Sequence, residues 1–483
     1  MNSSADQETP IWLRIHERKN KKKDLMSAFT ALPLTKPMIK NLETLGYLEM
    51  TPVQARSLPH VLKGEDLLAQ AKTGSGKTAA FGVGLLHNLN VKHFRVQALV
   101  MCPTRELAEQ VAGELRRIAR FKHNIKIVTI CGGVPFLPQQ ISLEHQGHIV
   151  VGTPGRIEQH LKRGTMNLDH VTTLVLDEAD RMLDIGFSDS IEVIMGYVPK
   201  ARQTLLFSAT FPKPILDLST RFQKNAHRVA VDVEHEQNVI RQYFYESGWE
   251  WKPVVVAQIL NIYKPASALI FCNTKLQCKS LSTFLETKGF SSLAIHGDLE
   301  QKDRTEILVR FSNGSTPILV ATDVAARGLD ISGLSAVINF DLPFEPEVYI
   351  HRIGRTGRAG KEGMAFSLMT PKERFRLEEI NTLMGTAFQV SDIKTLEPAT
   401  QESATPPMVT FSINGGRKTK LRPGDILGAL TKDAGIDGGF VGKINCFEFY
   451  SYVAIERSMA DKAEKALSKN KIKGRHFIVH RHE

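Results

Sequence analysis

The 483-residue sequence predicts two doubly wound α/β domains followed by a small α+β domain of order βαββαβ. Three features carry that expectation. Short apolar runs alternate twice over with amphipathic stretches, the pattern of buried parallel strands joined by crossover helices. A polar segment at 395–407, with Pro398, Pro406 and Pro407, interrupts the alternation and reads as a linker. Beyond it the order of elements changes, as a separate module requires. The predicted organisation is a flexible basic arm at 1–28, α/β domains at 29–232 and 233–394, the linker, and a last module at 408–483.

In the first domain the expected strands are 67–69, 98–102, 125–130, 149–151, 173–176 and 204–207, with a helix at 106–118. After a break at 234–252, strands are expected at 268–272, 292–295, 318–321, 336–339 and 363–369. The tail reads as strand 409–413, helix 423–432 opened by proline, strands 440–447 and 449–455, helix 459–468 and strand 476–480,.

Composition narrows the function classes. Hydrophobic residues at 42% and charged residues at 23% exclude a mainly disordered or fibrous chain. No apolar run approaches the roughly 18 residues of a membrane helix, and residues 1–10 lack the apolar stretch of a secretory signal,. Five scattered cysteines without a CxxC pair argue against a disulfide framework and a cysteine zinc site, and fit a reducing cytoplasm. The net charge of +11 is uneven: residues 405–483 carry 14 Lys/Arg against 8 Asp/Glu. A basic tail suggests a polyanionic partner, nucleic acid first.

Two motifs carry chemistry. Ala71, Lys72, Thr73, Gly74, Ser75, Gly76, Lys77 and Thr78 follow an apolar strand and open a helix, the setting of a phosphate loop, although Ala71 stands where the first glycine is usual. Backbone N–H groups there would wrap phosphates, Lys77 reach the β- and γ-phosphates and Thr78 hold Mg²⁺. One hundred residues on, Asp177 and Glu178 follow the strand 173–176. Acids at the carboxyl end of a parallel strand stand on the ligand rim, placed to hold Mg²⁺ (Asp177) and to deprotonate water (Glu178).

The run Asp177-Glu178-Ala179-Asp180 resembles the signature of the DEAD-box RNA helicases, and the resemblance extends over 29–370 with further motifs in the family's order. It implies tandem RecA-like domains and an RNA-dependent ATPase using ATP and Mg²⁺. Phe29 and Gln54 would read adenine, and Asp330 would contact the ribose. Ser208, Ala209 and Thr210 would couple hydrolysis to unwinding. His351 would link to them, and Arg355 and Arg358 would act as arginine fingers on domain closure. RNA-backbone contacts would come from Thr104, Arg105, Gly133, Thr153, Arg156, Arg304 and Thr322. Glu106, at a helix start, would steady its loop. Arg352 reads as a surface ion pair and His296 as a satisfied structural histidine.

The tail's βαββαβ order is that of an RNA-recognition (RRM-like) fold, whose sheet stacks bases on aromatics. Phe411, Tyr450 and Tyr452 occupy strand positions, but the segment 449–455 lacks the usual basic-Gly-aromatic opening,. Stacking platform and plain core both remain open for these rings. Basic residues at loops and edges, Arg417, Lys418, Lys420, Lys443, Lys471, Lys473 and Arg475, are the alternative RNA contacts. A DEAD-box core with such a tail is similar to bacterial helicases of large ribosomal subunit assembly. That implies ribosomal RNA and pre-ribosomal particles as partners, a monomer, and cytoplasmic work. A general RNA chaperone and a non-hydrolysing ATP-gated RNA clamp stay open beside it.

Overall fold

A computed structural model describes residues 28–71, 74–230, 240–326, 333–357, 362–391, 393, 396 and 405–482. The arm 1–27 and the site residues Lys72, Thr73, Asp330 and Arg358 lie outside them.

The first domain is built on seven strands: β1 (Leu67–Gln70), β2 (Ala98–Met101), β3 (Ile127–Ile130), β4 (Ile149–Gly152), β5 (Thr173–Asp177), β6 (Gln203–Ser208) and β7 (His227–Ala230). Their order is β3-β4-β2-β5-β6-β1-β7, and every pairing is parallel. Strands such as β2, β4 and β5 are buried along their whole length because helices cover both faces, with one apolar core on each,. This order sets the carboxyl ends of β5, β6 and β1 side by side, and those of β3, β4 and β2 beside them.

The second sheet comprises β8 (Ile240–Glu246), β9 (Ala268–Cys272), β10 (Ser292–Ile295), β11 (Ile318–Thr322), β12 (Ala336–Asn339), β13 (Gly363–Met369) and β14 (Val390–Ser391). Its order is β10-β11-β9-β12-β13-β8-β14. Strand β8 corrects the expected break at 234–252. Arg241 and Gln242 interrupt its apolar run, and only pairing with β13 and β14 makes it a strand. The polar edge strand β7, with three of its four residues exposed, is likewise an addition of the fold.

The tail forms a four-stranded antiparallel sheet from β15 (Met408–Ile413), β16 (Val441–Cys446), β17 (Ser451–Glu456) and β18 (Val479–His482), in the order β16-β17-β15-β18. Two helices cover one face: Pro423–Gly428, which widens into a π-turn at Ala429–Asp433, and Ala460–Lys469. Val409, Phe411, Ile413, Val453 and Ile455 point into that core. The last strand falls later than the expected 476–480, because the Ile413–Val479 and Thr410–His482 pairings set its register. The tail and the second α/β domain belong to one compact unit. No described helix is long and apolar enough to cross a membrane.

Candidate nucleotide and nucleic-acid site

The phosphate loop leaves β1 and re-enters helix Lys77–Asn88 through left-handed glycines, Gly74 at φ 81° and Gly76 at φ 92°. At Gly76 the left-handed φ disfavours any side chain, and a Cβ there would displace the Gln54 amide from its bonds. Gln54 Nε2 donates to the Gly76 carbonyl at 3.1 Å, and Gln54 Oε1 accepts from Thr51 N at 2.9 Å. Thr51 Oγ1 donates to the Ser75 carbonyl at 2.8 Å. Helix Pro52–Leu62 is therefore bonded directly to the loop whose phosphate contacts it flanks. Phe29, expected on the adenine, is 3% exposed and edge-on to Tyr47. Base stacking needs that ring uncovered.

Lys77 is buried, and its Nζ lies 3.9 Å from Asp177 Oδ1, too far for a hydrogen bond,. Both atoms are buried without a hydrogen-bond partner. Such orphans are costly, and a cation's orphaned ammonium beside an orphaned carboxylate oxygen fits a phosphate–Mg²⁺ pair. Burial, opposed by Lys77 and aided by Glu178, pushes the Asp177 carboxyl up to about 6.

Glu178 sits at φ 54° as the N-cap of helix Ala179–Asp184, which turns its side chain off the line of β5. Arg181 Nη1 donates to Glu178 Oε2 at 3.0 Å, with both side chains buried. Asp180 reaches sideways to the end of β6. Its Oδ2 accepts from Ala209 N at 3.1 Å, Thr210 N at 3.1 Å and Thr210 Oγ1 at 3.2 Å. Ser208 Oγ donates to the Thr210 carbonyl at 2.6 Å. Neither Asp180 nor Arg181 was assigned a role from sequence; the i, i+3 spacing of Glu178 and Arg181 on one helix was the available signal.

The neighbouring rim holds the residues expected on RNA. Thr104 caps helix Arg105–Ile118, accepting from Leu107 N at 3.3 Å. Thr153 Oγ1 accepts from Gly132 N at 3.4 Å, and Gly133 is left-handed at φ 73°. Arg156 Nη1 donates to the Val134 carbonyl at 3.0 Å. Its guanidinium lies 5.8 Å from the Phe136 ring, which stacks on His160 at 4.0 Å. Burial holds His160 down at about 4, so it is neutral. Arg105 Nη1 and Arg156 Nε are buried without hydrogen-bond partners.

In the second domain Arg304 lies on helix Gln301–Ser312, which follows β10, and Thr322 ends β11, the strand paired with β10. His351 lies on helix Pro346–Ile353 and the buried Arg355 just beyond it. Arg352 is no surface residue: it is 1% exposed. It donates bidentately to Asp323 at 2.7 and 2.6 Å and also to Asn339, the Asp341 carbonyl and Asn273. It braces the loops that follow β9, β11 and β12. His296 is buried, as a structural histidine should be, but its Nδ1 has no hydrogen-bond partner.

Comparison with known proteins agrees with this geometry. The DEAD/DEAH box helicase family model matches residues 51–218, the helicase conserved C-terminal domain 251–360, and the DbpA RNA binding domain 410–481. The ATP-dependent RNA helicase DbpA of Escherichia coli is 51% identical over 93% of this chain and 98% of its own length. The chain belongs to the DEAD-box ATP-dependent RNA helicases. It is similar also to the DEAD-box helicase CshA of Geobacillus kaustophilus, at 47% identity over 74% of this chain and 76% of that one. Among solved structures, S. cerevisiae Dbp5 bound to RNA and ADP BeF3 matches with a TM-score of 0.69 and 30% identity, covering 78% of this helicase and all of that chain.

The helicase's RNA-binding tail presents its sheet unexpectedly. Opposite the core face, β15, β17 and β18 present Thr410, Ser412, Tyr452 and His482, and this is the face on which an RNA-recognition fold stacks bases. Here helix Gln301–Ser312 and the turn after it cover it. Thr410 Oγ1 accepts from Asn313 Nδ2 at 2.9 Å and lies 2.6 Å from Ser315 Oγ. His482 Nδ1 lies 3.0 Å and Tyr452 Oη 3.5 Å from the Glu306 carboxylate. Thr410 and Tyr452 are buried, and the His482 bond holds Glu306 below the usual carboxylate range. The platform reading fails for Phe411, which is core, and for Tyr452, which is interface, while Tyr450 is half-buried against Phe447 and Tyr452. The exposed cations lie elsewhere. Arg417 and Lys418 sit on a 3-10 turn bonded to the 447–448 backbone, and Lys473 Nζ donates to the Lys420 carbonyl at 3.1 Å. Lys443 lies on edge strand β16.

Proposed function

We propose that this helicase locally unwinds short RNA duplexes on the large-subunit ribosomal RNA during ribosome assembly in the cytoplasm. Its three modules are the α/β domains 29–232 and 233–394 and the tail 408–483. The observation that carries this reading is the tail. A basic RNA-binding module is bonded through its sheet to the second α/β domain, so RNA held by the tail is held at a set place beside that domain.

The family's motifs, together with the placement of the described residues, support the following roles. Lys77 and the loop Ala71–Thr78 bind the phosphates of ATP, with Lys72, Thr73, Gly74, Ser75 and Gly76 offering backbone donors. Thr78 and Asp177 would hold Mg²⁺, partly through water, and the ion when bound neutralises charge on the phosphate oxygens. Glu178 takes the proton of the attacking water, and Arg181 fixes its direction. His351, Arg355 and Arg358 would serve the γ-phosphate, as the family's last motif implies, and arginine fingers are worth about 10³–10⁵ in rate. Asp330 would contact the ribose, and Phe29 the adenine once its ring is uncovered. Asp180 ties the catalytic turn to Ser208, Ala209 and Thr210, so a displacement at one is felt at the other. Thr104, Arg105, Gly133, Thr153 and Arg156, with Arg304 and Thr322, hold the RNA backbone. Such contacts fix a strand without reading its sequence, and selection falls to Arg417, Lys418, Lys443 and Lys473.

Steady-state ATPase tests this reading. Large-subunit ribosomal RNA should stimulate turnover strongly and an unrelated structured RNA, at equal nucleotide concentration, weakly. Equal stimulation would make the protein a general RNA chaperone, and no stimulation by either an ATP-gated clamp.

A further inference from the structure

Away from this site, three side chains bring together the donor set of a transition-metal centre. His60 stands in the last turn of helix Pro52–Leu62, Glu65 in the turn before β1, and His227 opens edge strand β7. His60 Nδ1 lies 2.7 Å from Glu65 Oε2, and His227 Nε2 lies 3.2 Å from the same oxygen. All three ligand atoms fall within 4.8 Å of one another.

The main chain holds the residues in place. Glu65 N donates to the His60 carbonyl at 3.1 Å, and His227 N to the Asp66 carbonyl at 2.8 Å. The Asp66 carboxylate in turn accepts from Thr204 N and Lys224 N, each at 2.6 Å. Two imidazoles and a carboxylate suit zinc above magnesium or calcium, which prefer all-oxygen sets.

We propose that His60, Glu65 and His227 bind a divalent transition metal, zinc by preference, with water completing the coordination. Zinc bonds of roughly 2.0–2.2 Å require the donors to close in and the two rings, now stacked at 4.1 Å and 24°, to fan apart. The half-exposed His227, with 47% of its side chain open to solvent, can turn to do so, and that exposure is the entry path for the ion. Leu67 of β1 pairs with His227, so the centre lies at the amino end of the strand whose carboxyl end carries the phosphate loop. It is a structural clip. It fastens the helix that carries Gln54 to the last strand of the first sheet, immediately before residues 231–239.

The test uses the untagged full-length protein, stripped with chelator and held in excess Mg²⁺ without nucleotide. Co²⁺ is titrated while the visible absorption of a low-symmetry cobalt site is followed, and Zn²⁺ is then used to displace it. One equivalent per chain is expected, with affinity reduced at least about 100-fold in His60→Ala and in His227→Ala. Zn²⁺ should raise the Tm of the wild type and leave that of His227→Ala unmoved. Absence of a saturable first equivalent overturns the proposal. So does unchanged binding in His227→Ala, which would assign the ion to other ligands such as the tail histidines His476, His480 and His482. Since His227 lies exposed on an edge strand, that variant keeps the test decisive even if His60→Ala misfolds.

Discussion

The carboxyl rim of the first sheet and the outer face of the tail sheet are both surfaces on which their folds ordinarily bind ligands, yet their polar groups are treated in opposite ways. On the rim, Lys77 Nζ, Asp177 Oδ1, Arg105 Nη1 and Arg156 Nε are buried without hydrogen-bond partners. On the tail face, Thr410, Ser412 and His482 are bonded to Asn313, Ser315, Glu306 and one another. A buried orphan costs about 1–3 kcal/mol, so a rim that keeps several is held ready for groups that arrive with ATP and RNA. On the tail face Thr410, Ser412 and His482 already have their partners in place, and the orphan there, Asn445 Oδ1 beside Tyr452, is a neutral amide rather than an ion. The difference separates a binding surface from an internal interface more sharply than fold resemblance does.

The comparison can be broken most severely at the rim. Glu178→Gln should lower ATP turnover by about 10³ while ATP and RNA still bind, so the variant should retain RNA on ATP addition. Wild-type steady-state turnover would remove Glu178 from its role. Next in size is the tail core: Phe411→Ala should cost about 3–5 kcal/mol and shift the tail's unfolding transition in a thermal melt. Glu306→Ala tests the interface, because it strips the partner from His482 and Tyr452. A loss of about 1–3 kcal/mol should appear as easier proteolytic release of the tail with the ATP site unaffected. Acid should weaken Mg²⁺–ATP binding. The Asp177 carboxyl is raised, so its anion, charged at neutral pH, is lost as pH falls through about 6. Affinity should drop towards tenfold per unit below that pH in nucleotide-binding titrations, and Asp177→Asn should flatten the dependence. The smallest effect is the most pointed: Tyr452→Ala, with the tail still docked, should leave RNA affinity unchanged. A base-stacking ring is worth about 1–3 kcal/mol when truncated, so a marked loss in Tyr452→Ala with the tail still docked would reopen the platform.

Most of the rim was legible because its chemistry is written in contiguous residues. Ala71–Thr78 and Asp177–Asp180 each join an apolar strand to a helix, and strand order then fixes where they stand. Arg352 was misplaced for the opposite reason. A charged residue on an amphipathic helix usually faces water, and the acceptors that bury it, Asp323, Asn339, Asp341 and Asn273, come from three other segments. Strand β8 escaped because its apolar residues are interrupted and its two partners, β13 and β14, lie far along the chain.

By itself the sequence determined the two α/β domains, the βαββαβ tail, the phosphate loop, the acid pair and the basic balance of the last 80 or so residues. Each depends on local periodicity or on neighbours in the chain, which composition and spacing express directly. Only the tertiary structure decided that Asp180 grips Thr210, that the tail's sheet is closed by Glu306, and that His60 and His227 meet at Glu65. Asp180 and Thr210 are 30 residues apart, and Glu306 and His482 are 176 apart. No periodicity in the chain records a long-range pairing, because its geometry exists only once the sheets have set their strand order and register.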